Sequence, residues 1–277
     1  MIKNDKEKTY AVIGNDINNA IFKDLTASDM NIFLVCCMLA KDQGTTLVNI
    51  PFSVLREKSN HRKGSNKDFS EELKTLANKL LDTRIYVVED NGWAMFNLFQ
   101  TFRASEEKAM LSIRVSEDWQ YALNSIINNF SQIEYGSYVK IRKKYAKRMF
   151  MKMCQYRKNG WWKVSIDDLR NIIDIPNSCP DRAINAKIIQ PAIIELKPFF
   201  KKLIGKKEND YFVFEFEFLN KPPKIEREPS EIMRNNSLQI KEREKKPMSA
   251  KQNKFHNFHQ REQDEEYYIM LEKALLQ

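Results

Sequence analysis

Along the chain, the spacing of hydrophobic residues changes in a fixed order, and the order occurs twice. Ile32, Phe33, Val35, Cys36 and Leu39 crowd into one helical run, which Ser28 or Asp29 can cap and Gly44 helps to end. A short extended stretch, Leu47 to Ile50, comes next. Pro51 suits the first turn of the following helix, reaching about Lys58, because its missing N–H would have no intrahelical partner there. Beyond the polar loop Ser59 to Lys67, the residues Phe69, Leu73, Leu76, Ala77, Leu80 and Leu81 recur every three or four positions. They make one buried helix face. Ile85 to Val88 and Trp93 to Phe99 then flank Glu89-Asp90-Asn91-Gly92, whose Asn-Gly is a strong hairpin signal.

The second pass starts with a helix from about Tyr138 to Lys158, ended by Asn159-Gly160. A short strand, Trp161 to Val164, precedes a helix from Ser165 to Ile173. Pro176 and Pro180 bracket a loop. A further helix, about Asp181 to Leu196, puts Ile188, Ile189, Ala192 and Leu196 on one face, and Phe212 to Phe218 alternates with period two, as a half-buried strand does. The two passes also share local text, Ile50-Pro51-Phe52-Ser53-Val54-Leu55-Arg56 being echoed by Val164-Ser165-Ile166-Asp167-Asp168-Leu169-Arg170.

Helix, strand, helix, helix, hairpin is the order of a winged helix-turn-helix, in which the second helix of the pair can enter a major groove about 12 Å wide. The expected fold class is therefore α+β, with two tandem winged-helix domains over residues 1–134 and 135–222. Residues 223–277 read as a flexible C-terminal tail: a linker with Pro223, Pro229 and dense mixed charge, entered through Pro222, then a short helix from about Gln260 to Leu276.

Composition agrees with two ordinary cores: 277 residues, 42% hydrophobic. No apolar run reaches the roughly 18 residues of a membrane span, and Met1-Ile2-Lys3-Asn4-Asp5-Lys6 lacks a signal peptide's apolar stretch, so a cytoplasmic location away from membranes is expected. Charge changes the picture more. Of the net +9, residues 135–220 carry 18 Lys+Arg against 9 Asp+Glu, residues 1–134 carry 16 against 18, and residues 221–277 carry 12 against 10. So localised a field points to a polyanionic partner held mainly by the second domain.

Candidate contacts follow from that asymmetry. The Tyr138 to Lys158 helix holds nine basic residues and no acidic one, so Lys140, Lys143, Lys144, Lys147 and Arg148 are candidate phosphate contacts, with Ile141, Tyr145, Met149 and Met153 forming its core-facing stripe. Base reading falls to the helix Asp181 to Leu196. With its isoleucines inward, Arg182, Asn185, Ala186, Lys187 and Gln190 lie on or near the exposed side, where Arg and Lys address guanine, Asn and Gln adenine, and Ala a thymine methyl. Pro191 threatens the helix beside Gln190. The first domain offers Lys67, Ser70, Lys74 and Asn78, with His61, Arg62 and Lys63 in the preceding loop. Its slightly negative balance suits an auxiliary DNA contact and a protein interface.

Enzymatic chemistry finds little support. No phosphate-cradling Gly-rich loop occurs among seven glycines, and Cys36, Cys37, Cys154 and Cys179 form no C-x-x-C pair; adjacent Cys36 and Cys37 read as buried thiols. His256 and His259, the only close histidine pair, fall in the tail, and Asp167-Asp168 suits a helix N-terminus. No metal or other cofactor is expected.

The segments Lys144-Tyr145-Ala146-Lys147-Arg148-Met149-Phe150, Trp162 to Arg170 and Lys187-Ile188-Ile189-Gln190-Pro191-Ala192-Ile193-Ile194-Glu195-Leu196 together resemble the plasmid replication initiators of the Rep 3 superfamily, over roughly residues 10 to 220. That resemblance implies double-stranded DNA binding at tandem origin repeats (iterons), opening of an AT-rich segment, and recruitment of the host initiator and helicase-loading proteins. It also implies a homodimer that represses its own gene. The tail Phe255-His256-Asn257-Phe258-His259-Gln260-Arg261, with Leu271-Glu272, resembles a short terminal motif of replication proteins from Gram-positive bacteria. Three other readings remain: a winged-helix repressor without initiation activity, a nicking nuclease, and a scaffold whose basic helix binds RNA or acidic protein.

Overall fold

The computed structural model describes residues 10–19, 23–61, 64–82, 85–89, 92–117, 123 and 130–223. The expectations for Arg62, Lys63, the hairpin tip at 90–91, the linker beyond Pro223, the terminal helix and the tail histidines lie outside these residues.

The chain enters as strand β1 (Tyr10–Gly14) and short helix α1 (Asn15–Asn19). Helix α2 (Ala27–Ala40) then starts two or three residues earlier than a cap at Ser28 or Asp29 would place it, because Thr26 is its N-cap. The Thr26 hydroxyl accepts from Asp29 N (3.1 Å), and the Asp29 carboxylate accepts from Thr26 N (2.9 Å). Met30 through Cys37 are all buried, so this helix is covered on every side. Past Gly44, whose φ of +59° suits a residue without a Cβ, come β2 (Val48–Pro51), α3 (Phe52–Lys58) and α4 (Asn66–Asp82). Phe69, Leu73, Leu76, Ala77 and Leu80 form the buried face of α4 that their spacing predicts, whereas Leu81, expected with them, is exposed near the helix end.

The wing is not where the turn signal puts it. Among the described residues, strands β3 (Ile85–Glu89) and β4 (Gly92–Phe96) pair with each other as a two-stranded hairpin. The domain sheet is closed instead by β5 (Phe99–Ser105) and β6 (Met110–Val115), in the order β2-β6-β5. A local Asn-Gly turn specifies a hairpin but not the sheet it joins. Ile50 opposite Leu111, with Leu111, Ile113 and Val115 buried on alternate positions, selects β6.

Strand β7 (Phe130–Glu134) runs antiparallel to β1 and leads through α5 (Tyr135–Tyr138) to α6 (Lys144–Gln155). The single helix expected from Tyr138 to Lys158 is thus broken at 139–143. After it come β8 (Trp161–Ser165), α7 (Ile166–Ile173), α8 (Asp181–Ile184), a π-helical turn (Asn185–Ile189) and α9 (Gln190–Leu196). The wing strands β9 (Phe200–Glu208) and β10 (Tyr211–Phe218) complete a sheet ordered β8-β10-β9. This repeats the first sheet: in each, the strand before the helix-turn-helix pairs with the last wing strand. The fold is α+β with two tandem winged helices, and β9 is a strand the sequence pattern did not expose.

The final arginine of the repeated heptad has the same task in both copies. Arg56 donates to Ser65 O (2.6 Å) and lies over the Phe69 ring, 4.5 Å from its centroid. Arg170 donates to Cys179 O (2.5 Å), Pro176 O (3.2 Å) and the Asp181 carboxylate. Each ties the turn of the helix-turn-helix to the start of the recognition helix.

Candidate nucleic-acid interface

The second recognition helix runs from Asp181 to Leu196 with a widened turn in its middle. Pro191 has no N–H, and its ring would crowd the carbonyl four residues back. The backbone takes up the mismatch by shifting register, Gln190 N donating to Asn185 O across five residues. This stacks Gln190 over Asn185, and the Gln190 amide donates to Asn185 Oδ1 at 3.2 Å. Arg182, Ala186, Lys187 and Gln190 are exposed, with Asn185 half-buried beneath them. All five expected base-reading residues therefore share one helix surface, two of them already joined to each other.

The wing strand packs under this helix at Gly205, where a Cβ would come within 2.5 Å of Ile193 Cδ1. The glycine leaves room there for the Ile193 methyl and the Phe214 ring, which any Cβ would displace. The wing tip presents Lys206 and Lys207, both exposed. Lys201 and Lys202, by contrast, are paired across the hairpin with Glu217 (2.9 Å) and Glu215 (2.7 Å).

The basic segment splits into two groups. Lys140, Arg142 and Lys143 lie exposed on the 139–143 link, and Lys143, Lys144 and Tyr145 face Lys187, Ile188, Pro191 and Ala192 across a concavity of about 320 Å³. The start of α6 and the recognition helix thus form one cationic surface. Lys144 is partly engaged, its amine 3.2 Å from the Asp174 carboxylate. Glu195 fixes the junction by accepting from the backbone N–H groups of Arg142 and Lys143, the latter at 3.2 Å.

Lys147 and Arg148 do not belong to that surface. Lys147 is 0% exposed and Arg148 7%, as is the neighbouring Lys152 at 4%, so the expectation that Lys147 and Arg148 meet phosphate is corrected. The reason is tertiary. All residues from Ala146 to Cys154 are buried because α6 packs against α1, α2 and β7 as well as its own module. Burial pushes the Lys147 amine down to about 7, opposed by the nearby Glu195 carboxylate. Lys152 also falls to about 7, through burial and then the Arg148 charge beside it.

In the first module Lys67, Lys74 and Asn78 are exposed on α4 and Ser70 is half-buried, so these four remain on the outward face. Their field is weaker, because Glu71 sits 3.6 Å from Lys74 and the first wing tip carries Glu106 and Glu107 beside Lys108. The loop's His61 pairs with Glu72 at 2.5 Å and packs on Phe69 rather than projecting freely. Cys36, Cys37 and Cys154 are buried with their thiols pushed up, Cys36 to about 12. Among the described residues no cluster of His, Cys, Asp or Glu could hold a metal ion, and no helix is long and apolar enough to cross a membrane.

Two helix-turn-helix units, each with its own wing and a recognition helix bearing polar residues outward, define a tandem winged-helix protein of the DNA-binding class. The family model described as Initiator Replication protein, WH1 matches residues 11–154, more than half of the chain, and the protein belongs to that Rep3 family of replication initiators. A curated protein of Bifidobacterium longum (strain NCC 2705), named Probable replication protein rep, is 26% identical over 223 residues, covering 78% of this chain and 74% of that one. A crystal structure of RctB domains 2-3 superposes with a TM-score of 0.40 and 6% identity over 68% of this chain and 81% of that one, too distant to bear on the fold.

Proposed function

We propose that this initiator binds tandem repeats (iterons) at a plasmid origin as double-stranded DNA, opens the adjacent AT-rich segment and recruits host initiator or helicase-loading proteins in the cytoplasm. The second module is the principal reader. Arg182, Asn185, Ala186, Lys187 and Gln190 address base edges, while Lys140, Lys143 and Lys144 hold phosphates. The observation carrying this is the concavity that sets Lys143 and Lys144 opposite Lys187, joining a phosphate grip to a base-reading helix. The first module adds weaker contacts through Lys67, Ser70, Lys74 and Asn78 and serves as the homodimer interface through which the protein represses its own gene. No catalytic step is assigned.

Footprinting on the DNA flanking the coding region tests the reading. Protection of several direct repeats, together with restored replication of a plasmid lacking its own initiator, is expected. One protected operator without restored replication would make the protein a repressor, and nicking of supercoiled plasmid with magnesium would make it a nuclease.

A further inference from the structure

Two other elements bond the buried amine of Lys147, and a third places a charge near it. From α6 it donates to Asn31 Oδ1 of α2 (2.6 Å) and to Tyr138 O of α5 (2.6 Å), and it lies 4.2 Å from the centroid of the Tyr138 ring. Asn31, itself 7% exposed, donates its amide to Ser59 O (2.9 Å), the residue that ends α3 and opens the first helix-turn-helix loop. On the other side the Glu195 carboxylate of α9 lies within electrostatic range of Lys147 while capping the backbone of Arg142 and Lys143. A chain of hydrogen bonds therefore runs from the turn before the first recognition helix through Asn31 to Lys147, and the Glu195 charge near the end of the second recognition helix acts on that amine without a direct bond. A bridge nearer the surface runs parallel to it, the Asp174 carboxylate accepting from Asp24 N of the first module (3.1 Å) and from Lys144 (3.2 Å).

A full positive charge is costly to bury, and a methionine of similar length would fill the space without that cost. Directional bonds supply what apolar packing does not: a fixed rotation and translation of one module against the other. We propose that Lys147 is a positioning residue that locks the two helix-turn-helix units into one registry, so that the protein reads a two-part DNA site of a single allowed spacing. This rests on the proposal that both modules contact DNA. Lys147 itself touches no nucleotide.

Removing both partners avoids stranding the Asn31 amide, so the variant of choice is the pair Lys147→Met with Asn31→Leu, alongside Lys147→Met alone. Duplexes selected by the wild-type full-length chain are rebuilt with one base pair inserted between the two halves, which rotates them by about 35°. The wild type should lose at least about tenfold in affinity on insertion. The paired variant should lose threefold or less, with its affinity for the second half-site alone unchanged. A variant that keeps the wild-type spacing penalty, or that loses half-site affinity by the same factor as the full site, would overturn the positioning role. A wild type that selects only a one-module site would overturn it as well, while leaving DNA reading by the second module intact. Selection of no DNA at all would sink both proposals.

Discussion

The two modules share a skeleton but put charge in different places. Helix α2 buries an apolar run with one amide in it, whereas its counterpart α6 buries Lys147, Arg148 and Lys152 and keeps Lys143 and Lys144 at its start for the surface. The first recognition helix is a regular 17-residue helix with Glu71 beside Lys74, and the second is shorter, widened at Asn185–Ile189 and fronted by Arg182 and Lys187. Equal folds therefore do not imply equal grips on a polyanion. Cations on one helix divide between holding the modules together and facing outward, and the sequence lists both kinds alike.

The largest expected effect separates the two leading helices by pH. Lys147 and Lys152 bind protons less tightly in the folded chain, at about 7, than in the unfolded chain near 10.5. Between these values the unfolded chain holds more protons. Stability must therefore rise with pH there, with the full cost of burying both charges present below 7. Urea unfolding from pH 6 to 8, below most of the range where unfolded thiols ionise and oppose the trend, should show a slope of up to about 1.4 kcal/mol per pH unit for each lysine. Replacing both by Met should flatten it; an unchanged slope would show that the charge is not buried as described.

Next comes the repeated arginine. Arg170→Ala should cost about 2 kcal/mol by thermal unfolding, because three acceptors around the turn lose a charged donor, and Arg56→Ala should cost less. Equal losses would remove this difference between the copies. Lys187→Ala should then lower discrimination between the preferred site and a point-substituted one by about 1–3 kcal/mol in competition binding, while Asn78→Ala on α4 changes it little. If Asn78 proved the more sensitive position, the assignment of the principal reader would be reversed. The smallest effect is in salt dependence: Lys143→Ala should reduce the log–log slope by about 0.9, and Lys74→Ala by less, since Glu71 already offsets its charge.

Much of this was legible in advance, for identifiable reasons. Apolar spacing located α3, α4, α7 and the helix beginning at Asp181, because each is an amphipathic surface element whose buried face is written in its own period. The duplicated heptad exposed the tandem architecture, although nothing in it announced that Arg56 and Arg170 staple the turns. The Asn-Gly signal found a real hairpin but could not say that β2 would choose β6 over it. Pro191 marked the disturbed turn, yet that Gln190 would bond to Asn185 depended on how the backbone absorbed the missing N–H.

What the sequence determined by itself was the order of elements, their repetition and the net field of the second half, since these follow from local propensity, periodicity and summed charge. Only the tertiary structure decided which cations in that field reach solvent. Lys143 and Lys147 are one helical turn apart and chemically identical, but one faces the recognition helix across an open concavity and the other is sealed beneath α2. A residue's own period names the face it occupies. Whether a second domain covers that face is settled by a chain segment more than a hundred residues away.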